Sequence, residues 1–234
     1  KYLDSGNEAR IKKAYESRDP RLQMAVITPY AQYNGASSGI AHTYTLRWPY
    51  RGSDSAEPFD IRTDTNDKFY YLWRKFVPEG LEQTERDTYG LDIPLIRYAE
   101  VLLLKAEALN EWGSTHESEA IRCVNEVRRR AGHVELNNAT YPATKVNGQS
   151  DLRERIRNEY YWEIGGEDSM YFHELRWGTW KDKKFDNNRN GLMQMWGETT
   201  YTWYWLGDQC WSWPIPAKEM EMNSNLEQNE GWIN

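Results

Sequence analysis

The chain has 234 residues, 39% of them hydrophobic, enough for one large domain or two small ones, and no apolar run approaches the roughly 18–20 residues of a membrane-spanning helix. Its 36 acidic side chains outnumber 29 basic ones, and a formal charge of −7 argues against a nucleic-acid partner, whose phosphates such a surface repels. Two cysteines, Cys123 and Cys210, make neither a disulfide framework nor a C-x-x-C pair.

The chain opens on Lys1-Tyr2-Leu3-Asp4 without an initiating Met or an apolar signal segment, and residues 8–16 read as the middle of a helix. The expectation is a piece of a longer precursor whose first part is absent. Residues 9–17 form a short polar helix that Asp19-Pro20 ends. In the irregular stretch 22–89, Val26-Ile27-Thr28 and Tyr44-Thr45-Leu46 read as short strands, with Asn34-Gly35 and Ser37-Ser38-Gly39 as turns. Residues 94–112 carry the strongest helical signal. Pro94 suits a first turn, Ile96, Ala99, Leu103, Ala106 and Leu109 make an apolar stripe, and Gly113 ends it.

Ser114-Thr115-His116-Glu117 has the letters of a capping box, opening a second helix to Arg130 striped by Ala120, Val124, Val127 and Ala131. So short a connection makes the two helices antiparallel, the unit of a tetratricopeptide solenoid, here in one clear copy. A polar loop over 136–149 leads to a third helix, capped by Asp151 and striped by Leu152, Ile156, Tyr160 and Ile164, with Gly165-Gly166 as its stop. A fourth short helix ends near Trp177-Gly178. Residues 181–209 are irregular and aromatic, and the tail from Trp213-Pro214-Ile215-Pro216 is too proline-rich to start as a helix and is expected to wrap the body.

Twelve Trp and sixteen Tyr stand against five Phe. A core needing only volume would use Phe and Leu, which carry no polar atom to satisfy. Trp and Tyr join a flat apolar face to a hydrogen-bonding edge, which suits flat, half-polar partners such as sugar rings. The rings on irregular segments are the ligand candidates: Trp48, Tyr50, Trp73, Trp196, Trp203 and Trp205. Asn34, Arg47, Arg51 and Asp54 lie near them in sequence to reach hydroxyls. Packing within the loops is the competing explanation for each ring.

Catalytic and metal constellations are sparse. Glu154, Glu159, Glu163 and Glu167 sit at solvent-facing helical spacing, so a solvated or salt-bridged face is the ordinary reading and glycoside hydrolysis is not expected. His42, His116, His133 and His173 lack ligand spacing for zinc. Asp186-x-Asn188-x-Asn190-Gly191 opens like a calcium loop, with oxygen donors at alternate positions, yet its acid arrives one step late at Glu198. Calcium is therefore the one metal candidate, and a polar turn explains the same letters. No other cofactor is expected.

Five segments stand out in order along the chain: Arg18-Asp19-Pro20-Arg21-Leu22; Ile93-Pro94-Leu95-Ile96-Arg97-Tyr98-Ala99-Glu100-Val101-Leu102-Leu103 with Ala106-Glu107-Ala108; Val124-Asn125-Glu126-Val127-Arg128 to Ala131-Gly132; Phe172 to Leu175-Arg176-Trp177-Gly178; and Pro214-Ile215-Pro216 with Gln228-Asn229 and Gly231-Trp232. Together they resemble the SusD/RagB-like nutrient-binding outer-membrane lipoproteins of Bacteroidetes. Tyr160-Tyr161, Asp168, Met170, Ser224 and Glu230 depart from that pattern. The resemblance implies a mostly α fold of tetratricopeptide-like antiparallel helix pairs with long irregular loops and a few short strands, residues 1–234 forming one C-terminal region. It also implies that Tyr98, Trp177 and Trp213 belong to the core; Trp112 and Trp162, at a helix end and within a helix, are read as packed too.

The implied function is non-catalytic capture of oligosaccharides at the outer-membrane surface and delivery to a SusC-like TonB-dependent transporter. The implied tether is a lipid on an N-terminal cysteine in the absent first half, which would be this region's other partner. The acidic charge disfavours anionic polysaccharides. The alternative is a protein-interaction scaffold with no sugar site in this part of the chain.

Overall fold

The computed structural model describes residues 8–37, 39–50, 60–64, 72–80, 90, 92–167, 169–185 and 205–232, in two compact units that divide between Glu167 and Asp168. The first unit begins with α1 (Glu8–Glu16) and α2 (Pro20–Ala25). Asp19 caps α2, its Oδ1 accepting the Arg21 N–H at 2.9 Å, and Pro20 fills the first turn without losing a needed donor. Five strands follow: β1 (Val26–Ile27), β2 (Gln32–Ser37), β3 (Ile40–Tyr50), β4 (Asp60–Asp64) and β5 (Leu72–Trp73). β2 and β3 form an antiparallel hairpin with Tyr33 opposite Tyr44, and β4 runs parallel to β3. β1 pairs antiparallel with β5. Buried Ile27, Tyr33 and Leu46 make a small core there, closed by Ala31, Tyr44, Leu72 and Val77. The Tyr33 hydroxyl donates to the Pro78 carbonyl at 2.5 Å, so the polar tip of a buried ring is satisfied.

The main core belongs to α3 (Tyr98–Trp112), α4 (Glu117–Arg130) and α5 (Gln149–Ile164). Leu103 and Ala106 of α3, Ala120 and Val124 of α4, and Leu152, Ile156, Tyr160 and Ile164 of α5 are buried almost completely. Each large aliphatic side chain so placed contributes about 1.5–3 kcal/mol. α3 and α4 pack antiparallel through the short Gly113 connection, and α5 descends beside both. Asn110 near the end of α3 and Gln149 at the start of α5 exchange two amide–carbonyl bonds of 2.7 and 3.2 Å, which sets α5 antiparallel to α3. The mostly helical, tetratricopeptide-like architecture expected from the sequence is therefore present.

Several local expectations are corrected. The helix does not start at Pro94 but at Tyr98: Arg97 is held extended (φ −113°, ψ 151°) because its guanidinium reaches α5. Ile96, ahead of the helix, is exposed and outside the stripe. The chain enters α4 through a 3₁₀ turn (Ser114–His116), so no side chain caps it; His116 instead stacks on Trp112 at 4.4 Å. α5 begins two residues before Asp151, whose carboxylate reaches back to the Asn147 N–H at 2.8 Å. Tyr98 and Trp112 are not core residues; both lie on the outward side of α3, 68% and 76% exposed. Glu159 and Glu163 do not face solvent: they are buried and salt-bridged.

The second unit contains α6 (Ser169–Arg176), α7 (Trp180–Lys184), a 3₁₀ turn (Asp208–Trp211) and α8 (Ala217–Met222). Tyr171, Trp180, Phe185, Trp205 and Trp211 form a chain of edge-on and tilted ring contacts, with centroids 4.9–6.0 Å apart. Gln228 closes the tail by accepting the Ile215 N–H at 2.7 Å and donating to its carbonyl at 2.9 Å. Asn229 donates to the Trp213 carbonyl and the Trp232 indole to the Ser212 carbonyl, so the Pro-Ile-Pro, Gln-Asn and Gly-Trp letters are one clamp. Trp213 itself is 74% exposed rather than core, its indole N–H bonded to the Tyr171 hydroxyl. Among the described residues no helix is long and apolar enough to cross a membrane.

Candidate functional site

The segment after β5 organises the concave surface of the first unit. The Arg74 and Lys75 N–H groups both donate to the Ala25 carbonyl, at 2.9 and 3.1 Å, tying the end of α2 to this segment. The Arg74 guanidinium donates to the carbonyls of Gln23 and Gln32 and pairs with Glu79 at 2.9 Å. One extended arginine thus fixes the distance between α2, β2 and the 74–79 loop.

That staple leaves an open cleft of about 590 Å³ between α1, α2 and the β-hairpin. Tyr15 of α1 and Tyr30 of the β1–β2 turn line it, both half-buried, with Arg18 over the Tyr15 ring at 5.6 Å. Lys12, Glu16, Gln23, Gln32, Thr28 and Thr45 supply charged, amide and hydroxyl groups around the rings. Tyr30 holds φ +64°, a left-handed conformation uncommon for an aromatic residue, and its N–H is fixed by the Leu46 carbonyl at 2.7 Å. Such backbone strain persists where the surroundings over-determine it, and it clusters at ligand sites. A hollow of this size with phenol faces and a few polar groups is suited to a hydroxyl-rich ring compound.

An ionic hub is centred on α5. Glu159 receives Arg128 at 2.7 Å and Arg21 at 2.8 Å; Glu163 receives Arg130 at 2.5 Å, Arg97 at 2.9 Å and Arg21 at 3.1 Å. Glu167 takes Arg97 and Lys75. Burial pushes the Glu163 carboxyl up, but hydrogen bonds from Arg97 and Arg21 and the Arg130 charge outweigh it and hold the group below the usual carboxylate range. For Asp19, burial is likewise overcome by Arg21, leaving its pKa lowered. Burial pulls the Arg21 guanidinium down, yet Asp19 and Glu159 raise it above the ordinary arginine value. Burial lowers the pKa of His133, 3.4 Å from Asp19. The hub joins three of the ordered sequence segments, through Arg21, Arg97 and Arg128, to one helix face.

The six candidate rings are distributed as follows. Trp73 lies in β5, 57% exposed, with its ring against the Gly165–Gly166 turn: a Cβ on Gly166 would sit 2.8 Å from it. Trp205 belongs to the second unit, half-buried against Phe185 and Trp211, with Lys181 over its ring and its indole bonded to Asp208 at 3.1 Å. Trp48 and Tyr50 fall on the β3 backbone, and their side chains lie outside the described residues, as do Trp196, Trp203 and the calcium candidates Asp186, Asn188 and Asn190. Of the polar candidates, Asn34 accepts the Thr43 hydroxyl at 2.8 Å across the hairpin. Tyr15 and Tyr30 were not singled out by sequence reasoning, although a bulky residue in a turn between two short strands was a readable signal at Tyr30.

Paired, closely packed helices with a strand hairpin at one flank define a helical-repeat protein of tetratricopeptide type. A family model described as the SusD family matches residues 3–232, and the chain belongs to that family. It is 32% identical over 139 residues to SusD-like protein P38 of Formosa agariphila, covering 59% of this chain and 24% of that protein. It is 28% identical over 161 residues to the starch-binding protein SusD of Bacteroides thetaiotaomicron, covering 68% of this chain and 25% of that protein. The chain thus spans about a quarter of the length of the curated relatives it matches. A crystal structure of a SusD-like protein from Bacteroides fragilis has the same fold, with a TM-score of 0.59 at 22% identity over 94% of this chain and 40% of that one.

Proposed function

We propose that this region captures glycans without chemically altering them, and that the Tyr15–Tyr30 cleft is one of its sugar contacts. The observation that carries the reading is an open hollow of about 590 Å³ with two phenol rings and amide, carboxylate and hydroxyl neighbours, in a member of the SusD family. The starch-binding name of one relative supports a saccharide as the ligand class. A sugar stacked on an aromatic ring gains about 1–3 kcal/mol by analogy with base stacking, so two rings serve for weak, reversible capture.

Delivery to a SusC-like TonB-dependent transporter, a position at the outer-membrane surface and a lipid tether on the longer protein belong to the same proposal and rest on family membership. Trp73 and the other candidate rings are proposed as further contacts. Calcium at Asp186, Asn188 and Asn190 is a separate proposal, read as a rise in Tm on adding calcium that chelator reverses. Titrating neutral oligosaccharides into the protein, with heat and product both followed, tests the main reading. Binding heat with unchanged sugar is expected; turnover, or no heat with any of them, refutes it.

The scaffold reading is favoured by one feature. Ile93, Leu95 and Ile96, in the segment leading into α3, and Tyr98 at its first residue are 68–88% exposed, apolar side chains suited to another protein segment. The two readings separate on Tyr15→Ala, which should weaken neutral-oligosaccharide binding at the cleft while leaving any protein partner in place.

A further inference from the structure

Gln23 and Arg74 line the tyrosine cleft, whereas their neighbours Met24, Ala25, Lys75 and Phe76 line a second cavity of about 290 Å³. Its lining carries four cations, Arg21, Lys75, Arg97 and Arg130, and a single carboxylate, Glu163. The Glu163 side chain is 3% exposed and already accepts from three of those cations. Glu167, Glu159 and Asp19 draw on the same cations, but none of the three lines the cavity. Arg130 stands apart: its side chain stays 59% exposed, and among the described residues Glu163 is its one ionic partner. Arg21, Arg97 and Lys75 are taken up by these carboxylates, so the exposed Arg130, which shares Glu163 with two other guanidiniums, is the cation at the cavity open to a further anion.

The rest of the lining is aromatic and apolar. Trp162 of α5 is 44% exposed at the cavity, and Phe76 holds φ +64°, so its ring direction is set by a strained backbone. Guanidinium forks beside an indole face match a compact oxyanion carried on a flat ring.

We propose that this cavity binds the carboxylate of an acidic sugar, with Arg130 on the anion and the pyranose face on Trp162. The anion follows from the exposed Arg130 guanidinium; a sugar as its carrier rests on the glycan reading above. The acidic balance of the whole chain does not oppose this, because solvent ions screen exposed charges beyond about 8–10 Å.

The test is calorimetry with galacturonic acid, galactose and inorganic sulfate, at low and high salt. Galacturonate should bind about tenfold or more tighter than either other probe, and weaken as salt rises. Arg130→Gln should lower its affinity about tenfold. Glu163 keeps Arg21 and Arg97 in that variant, so an unchanged circular dichroism spectrum is expected; Trp162→Ala and Lys75→Met give independent losses. Tyr15→Ala should leave galacturonate binding intact while neutral oligosaccharides are lost, so failure of one site does not mimic failure of the other. Equal affinity for galactose, sulfate alone matching galacturonate, or no effect of Arg130→Gln overturns the proposal.

Discussion

Replacing Glu159 by Gln keeps the size of the side chain and removes its charge. Glu159 is fully buried, and it faces Arg128 at 2.7 Å and Arg21 at 2.8 Å, whose side chains are 4% and 9% exposed. Arg21 retains Asp19 and Glu163, so its loss is partial. Arg128 retains the neutral Val134 carbonyl at 3.1 Å and the Trp162 ring, and so becomes a buried cation without a counter-charge. Stranding one partner of a buried pair costs about 3–5 kcal/mol, and the shared Arg21 places this case at the lower end, about 3–4. At about 2–4 °C per kcal/mol for a chain of this size, Tm should fall by about 6–16 °C. Urea unfolding of Glu159→Gln, Arg128→Met and the double variant closes the cycle: the double should lose less than the sum of the singles, since it removes the stranded charge as well. A loss below about 1 kcal/mol for Glu159→Gln, or strict additivity, would mean that water already solvates the hub.

Stability should also decline on acidification. Asp19, Glu163 and His133 all have folded-state pKa values below their ordinary ones, so each contributes fully above its unfolded pKa and loses that contribution as pH falls. The melt should weaken first below about pH 6.5, through His133, and more steeply below about pH 4; a flat profile from pH 7 to 4 contradicts this. Gly166→Ala should destabilise by about 1–3 kcal/mol, because φ is +82° and the new Cβ would meet the Trp73 ring at 2.8 Å; a neutral melt refutes that packing. Under native conditions Cys123, buried and with its thiol pushed up by burial, should alkylate much more slowly than half-buried Cys210, as mass spectrometry of iodoacetamide adducts would show; equal rates would place Cys123 at the surface.

The helical body was legible because its signal is periodic. Leu152, Ile156, Tyr160 and Ile164 repeat every four residues and are all buried, and Gly113 ends α3 with φ +136°, which few other residues adopt. The ionic hub was harder to see. Glu159 and Glu163 each precede a buried position of that stripe by one residue, which places them at its edge, yet burial there depends on arginines from three distant segments. The extended Arg97, and hence the late start of α3, follows from that long-range pairing and not from local propensity. β2, β4 and β5 escaped notice because strands of two to six residues with Gly, Asn and charged side chains carry little alternation. Exposure of Tyr98 and Trp213 was misjudged because an ordered motif is no statement about which face a ring occupies. The cleft is the least legible feature, since α1, the β1–β2 turn and Arg74 meet only in three dimensions.

A crystal structure of the protein with its best-binding neutral oligosaccharide tests the central claim most directly. An ordered sugar ring is expected to rest on Tyr15 or Tyr30, its hydroxyls bonded to Gln23, Gln32 or Glu16, and to be lost in Tyr15→Ala and in Tyr30→Asn, which tolerates the left-handed backbone. An oligosaccharide ordered elsewhere on the chain, with the hollow beneath Arg74 holding water alone, would contradict it.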